Sequence, residues 1–145
     1  MTDHAKQNAA LWLETIVAGM DGLARLQMLL RTGEAQAVPF DGDTFDDADT
    51  LSERLQEMPL SVQVRGGWHN AGDDDAAREA VEYEILLSTG GPALRIVGDL
   101  GDYSNPTNAR LQYQDWGTPW TDYHDMTEAQ GEHVEAFAGL FYFGD

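Results

Sequence analysis

Apolar residues recur at three- and four-residue steps near the start of the chain, at Leu13, Ile16, Val17, Met20, Leu23, Leu26 and Leu30. This stripe predicts a helix from Asp3 to Arg31, with Thr2 or Asp3 as its cap and Gly33 as its stop. Gly19 and Gly22 flank Asp21, and each disfavours helix by about 1 kcal/mol relative to alanine. A kink or division is therefore expected there, with Asp21 capping the second half. Residues 33–48 contain Pro39, Gly42 and four aspartates and read as a linker. Thr50 with Glu53 forms a capping-box pattern for a short helix carrying Leu51, Leu55 and Met58, which Pro59 ends.

From Leu60 the period changes to two. Leu60, Val62 and Val64 alternate in a first strand, and Tyr83, Ile85 and Leu87 in a second. Thr89-Gly-Gly-Pro92 reads as a hairpin connection to a third strand with Leu94, Ile96 and Gly98, and Ala109, Leu111 and Tyr113 mark a fourth. Short connections favour an antiparallel meander. Tyr113 to Tyr123 is a dense aromatic stretch holding Trp116, Gly117, Pro119 and Trp120, expected as a rigid loop. Thr127 with Gln130 can cap a last helix in which Val134, Phe137, Ala138 and Phe141 share a face. The expected fold is α+β, a roughly four-stranded antiparallel sheet with a long N-terminal helix and a C-terminal helix packed on it. At 145 residues one domain is expected, helical over residues 1–58 and sheet plus helix over 60–145, large enough to bury roughly 70% of its extended surface.

Charge changes this picture more than any other compositional feature. Twenty-six acids oppose eight bases for a net charge of −18, and Lys6 is the one lysine. The first thirty residues are nearly neutral; residues 31–60 alone carry eight acids against two bases. Such a surface repels nucleic acid and anionic membrane and attracts basic partners. DNA carries one charge per about 1.7 Å of axis, so this net charge gathered on one face would imitate roughly 30 Å of duplex. The competing reading is carboxylates dispersed for solvation, as in a saline environment. The sequence has no cysteine, which excludes disulfides, thiolate metal sites and a cysteine nucleophile. The N-terminus shows no basic segment followed by an apolar run, and a soluble, cytoplasmic protein is expected.

Motifs of known chemistry are absent. The Asp41–Asp49 run departs from a calcium loop, with Phe45 at the fifth position, Gly42 at the second and Ser52 where the bidentate glutamate belongs. Asp73, Asp74 and Asp75 form a second acidic cluster. His69, Asp115 and His124 could meet as a carboxylate-supported catalytic or metal site if their loops share a sheet edge. Exposed loop residues are the plainer reading, and no metal, cofactor or catalytic residue is expected. Trp116 suits a core plug, whereas Trp68, between Gly66-Gly67 and Gly72, suits an exposed anchor.

Residues 60–69, 82–100, 113–120 and 141–145 together resemble a family of small acidic accessory proteins carried by phages, plasmids and integrated elements. The resemblance covers about residues 60 to 145 and brings no catalytic residues. It implies the context in which accessory genes disarm host restriction or CRISPR machinery, acidic mimicry being one such strategy. The first functional expectation is thus an inhibitor that binds a basic nucleic-acid-binding surface of a host nuclease or effector complex. Asp41, Asp43, Asp46, Asp47, Asp73, Asp74 and Asp75 would supply charge, and Trp68, Trp116 and Trp120 apolar anchors. The alternatives are an accessory module that binds a protein partner through its aromatic loops, and a small His/Asp enzyme or metal protein.

Overall fold

The computed structural model describes residues 3–33, 37–66, 68, 71–72, 80–89, 92–101, 104–115 and 117–143. Their chain order is α1 (Asp3–Thr32), β1 (Val38–Phe40), β2 (Asp43–Phe45), α2 (Ala48–Gln56), β3 (Ser61–Gly66), β4 (Ala80–Ser88), β5 (Ala93–Leu100), β6 (Pro106–Gln114), β7 (Thr121–Asp122) and α3 (Glu128–Ala138). The architecture is α+β: a five-stranded antiparallel sheet in the order β3-β4-β5-β6-β7, a separate two-stranded β1–β2 ribbon, and three helices. The expected four strands are therefore five. The extra one, β7, lies within the aromatic stretch, where Gln112 pairs with Asp122 and Tyr113 with Thr121.

Alternation along the strands divides the sheet into a dry and a wet face. Tyr83, Ile85 and Leu87 of β4, Leu94, Ile96 and Leu100 of β5, and Leu111 of β6 are all buried on the helix side. They join Ala9, Leu13, Ile16, Leu23 and Leu26 of α1, Leu51 and Leu55 of α2, and Val134, Phe137 and Ala138 of α3 in one apolar cluster. Burial of this kind is the main favourable term in folding, at about 25 cal/mol per Å² of apolar surface. The helix layer is centred on β5 and β6, where α1 and α3 pack.

Helix α1 is continuous through Gly19 and Gly22 and does not divide there. The two glycines serve close approach instead. A Cβ on Gly19 would stand 2.5 Å from Leu55 Cδ2 and 3.0 Å from Phe40 Cε1, and one on Gly22 would stand 2.9 Å from Val38 Cγ1. They form a notch that receives the ribbon and α2. The supposed linker is partly that ribbon: Asp41 and Gly42 both take positive φ, 51° and 83°, as a two-residue hairpin turn of the primed type requires.

Helix α2 is capped by Asp47 and not by Thr50. The Asp47 carboxylate accepts from the Thr50 amide at 3.3 Å and from its hydroxyl at 3.0 Å. The capping box of α3 forms as its sequence predicts, with Thr127 Oγ1 accepting from the Gln130 amide and Gln130 Oε1 from the Thr127 amide. The Thr89–Pro92 connection falls at Gly90 and Gly91 outside the described residues.

Candidate interaction surfaces

The densest described acidic surface is the β1–β2 ribbon with α2. Between Asp41 and Glu57 it holds seven acids against Arg54 alone. Phe40 and Phe45, both buried with ring centroids 6.5 Å apart, anchor the ribbon, while Leu51 and Leu55 anchor α2. The acids therefore ride on a unit fixed against α1. They are not equivalent. Arg54 Nη1 donates to Asp43 Oδ2 at 2.7 Å and its Nη2 to Asp41 Oδ2 at 3.1 Å. Asp47 is committed to the α2 cap. Asp46 is exposed, and Asp49, Glu53 and Glu57 follow one another at four-residue steps along the outer side of α2, all exposed. This helical stripe was not among the acids singled out from the sequence, although its spacing was readable there.

The second surface is the wet face of the sheet, where a shallow cleft of about 310 Å³ crosses four strands. Its floor is a ladder of hydrogen bonds. Arg95 Nη1 donates to Glu84 Oε2 at 2.7 Å and its Nε to Gln112 Oε1 at 2.9 Å; Gln112 Nε2 then donates to Asp122 Oδ1 at 2.8 Å. Arg65 forms a two-pronged pair with Glu82 through Nε at 3.1 Å and Nη2 at 2.9 Å. With Arg110 also at the cleft, three of the chain's eight basic residues gather here. Periodicity alone places these residues on one face; their identity as a bonded ladder depends on the strand register, which no local pattern states.

Trp120 belongs to this face and is half-buried, with the Arg95 guanidinium carbon 4.1 Å from its ring centroid. It is thus engaged by the ladder and is not a free anchor. Trp68, by contrast, is fully exposed just past the end of β3. Trp116, Asp73, Asp74, Asp75 and His69 lie outside the described residues. Of the imagined His/Asp site, Asp115 sits half-buried after β6, in a turn closed by the Thr118 amide donating to the Asp115 carbonyl at 3.2 Å, and His124 is exposed. Among the described residues no group of three His, Asp or Glu side chains is placed to hold a metal ion.

His4 on α1 is exposed, whereas His133 on α3 is bonded at both ring nitrogens. Its Nδ1 is 2.7 Å from the Ala129 carbonyl and its Nε2 is 2.7 Å from Asp21 Oδ1 on α1. Both partners are acceptors, so the two contacts favour the doubly protonated ring. The Ala129 carbonyl first and the Asp21 carboxylate second raise its pKa above the ordinary 6.5. Beside it runs an open groove of about 420 Å³ between α1 and α3, lined by Met20, Leu23, Ala24 and Leu140 among others. No described helix is long and apolar enough to cross a membrane.

No protein-family model, curated protein or solved structure matches this chain.

Proposed function

We infer that the protein acts by binding, as an anti-defence inhibitor whose acidic ribbon and α2 dock on a basic nucleic-acid-binding surface of a host nuclease or effector complex. The observation that carries this reading is the exposed stripe Asp46, Asp49, Glu53 and Glu57 on a unit anchored by buried Phe40, Phe45, Leu51 and Leu55. Carboxylates spaced four residues apart on a helix lie about 6 Å apart along its axis, against about 3.4 Å per phosphate of one DNA strand. The stripe alone has roughly half the linear charge density of one strand, and Asp41 and Asp43, which share Arg54, add one net negative charge beside it. The resemblance of residues 60–145 to mobile-element accessory proteins supplies the anti-defence context.

The test is capture of partners from a host lysate by the whole protein, with washes of rising salt. A nucleic-acid-binding protein that salt releases, and that a variant combining Asp46→Asn, Asp49→Asn, Glu53→Gln and Glu57→Gln fails to capture, is the expected result. Equal capture by the variant would overturn the reading. A second reading, an accessory module that recognises a protein through an aromatic side chain, is favoured by one observation, the full exposure of Trp68. It requires that Trp68→Ala abolish capture while the four neutralising changes leave it intact.

A further inference from the structure

The two edges of the main sheet differ sharply. At one end β7 offers two residues, Thr121 and Asp122. At the other, β3 offers six, hydrogen-bonded on one side to β4 and, among the described residues, paired with no strand on the other. Exposed edge strands are normally blunted by inward-pointing charge, proline, a bulge or short length. Over Ser61–Val64 none of these is present; the bulge comes only at Arg65/Gly66.

The helix-side residues of this edge are also unusually bare. With the helices centred on β5 and β6, Leu60 is 61% exposed, Val64 44%, and Val62 and Val81 37% each, while Trp68 just beyond is fully exposed. Their exposed fractions correspond to on the order of 500 Å² per copy, so two copies can bury at most about 1,000 Å² of this surface, the lower bound for a specific interface.

We propose that β3 pairs antiparallel with β3 of a second copy of this chain, across a two-fold axis at Gln63, joining two sheets into one of ten strands. This goes beyond the acidic docking reading and does not rest on it. The strand is self-complementary in this register. Gln63 meets Gln63 of the copy, each Val62 meets the copy's Val64, and Ser61 meets the copy's Arg65. An even-numbered offset keeps the faces matched, so both helix layers lie on the same side of the joined sheet. Each Trp68 lies toward the end where the copy's Leu60 is bare. The occupant is a second copy because the charge fits one: in a chain of −18, Leu60–Gly66 contains no acid, and its one charge, Arg65, is already balanced by Glu82 of its own β4. Within Leu60–Gly66 no carboxylate of one copy opposes one of the other.

The pairing predicts a salt dependence opposite to that of acidic docking, because salt screens the repulsion between two strongly negative bodies. Sedimentation velocity of the whole protein, at about 0.05 M and about 0.5 M sodium chloride, is expected to show a dimer that strengthens with salt. Val62→Lys is expected to abolish it, and Trp68→Ala to weaken it at least tenfold. Because the chain lacks cysteine, Gln63→Cys gives a second readout that does not depend on Val62→Lys folding. Directly opposed residues of an antiparallel pair lie about 4.5–5.5 Å apart at Cα, within disulfide reach, so mild oxidation should link Gln63→Cys chains and leave Asn108→Cys chains unlinked. A monomer under all conditions, a dimer that salt weakens or that persists in a folded Val62→Lys, or failure of Gln63→Cys to cross-link would each overturn the proposal.

Discussion

His133 of α3 and Asp21 of α1 meet at 2.7 Å although 112 residues separate them in the chain. The contact joins the first and last helices across the core they both cover. With the Ala129 carbonyl it raises the pKa of His133, and a raised native pKa fixes the sign of the linkage. The stabilisation is complete below the unfolded value of 6.5 and is lost as pH rises through the native one. The ring is 29% and the carboxylate 66% exposed, so the effect stays within about 1 kcal/mol. Thermal melts from about pH 5.5 to about pH 9 should show Asp21→Asn losing stability relative to the parent at low pH and converging with it at high pH.

The glycines of α1 and α3 should respond oppositely to alanine. At Gly131 nothing lies within 4 Å of an added Cβ, so Gly131→Ala should stabilise by about 0.5–1 kcal/mol through helix propensity alone. At Gly19 the same change meets Leu55, which is fully buried and cannot swing aside, and a net loss of about 1–3 kcal/mol is expected. Denaturant midpoints of the two variants check both signs.

Tyr83 carries its hydroxyl into the core. The oxygen has no hydrogen-bond partner among the described residues, and burial pushes its pKa well up. The ring packs on Phe143 at 4.9 Å, and Gly98 makes room for it, a Cβ there standing 2.5 Å from the Tyr83 oxygen and 2.6 Å from the Thr107 carbonyl. Tyr83→Phe removes an unpaired buried group and keeps the ring. It should stabilise by about 1 kcal/mol, whereas Gly98→Ala should be among the most damaging single changes in the sheet, as melting temperatures would show.

Arg95 binds two neighbours through different nitrogens and lies over Trp120. Lysine supplies a charge but not this fork. Arg95→Lys should cost about 1–2 kcal/mol and alter tryptophan emission, while a folded variant with parental stability and spectrum would show that the ladder contributes little.

What the sequence reveals of this fold follows the range of each interaction. The α1 stripe, the β4 and β5 alternation and the Thr127–Gln130 box are local patterns, and they reappear in the structure at nearly their expected places. Asp41-Gly42 was local too, a hairpin signal between Phe40 and Phe45, but the surrounding aspartates and Pro39 make the same residues look like a linker. Asp47 and Thr50 are both good caps three residues apart, and only the completed bond chooses between them. Gly19 and Gly22 are opaque in principle: a kink and a notch need the same residue, and the partners that decide, Leu55, Phe40 and Val38, lie far along the chain. The candidate surfaces share that limit. The acidic unit is visible as composition, whereas the engagement of Asp41 and Asp43 by Arg54 and of Trp120 by Arg95 appears only with the tertiary pairing.

Arg54 also sets how strongly ionic strength can act on this protein's contacts. Held between Asp41 and Asp43, it is a built-in counterion that solvent ions need not replace. A cationic partner reaching those two aspartates would exchange one cation for another and release little. That single cation offsets one of the seven carboxylate charges in the unit, so ionic strength acts on docking through the six that remain, and Arg54→Gln should make capture by this unit more salt-sensitive.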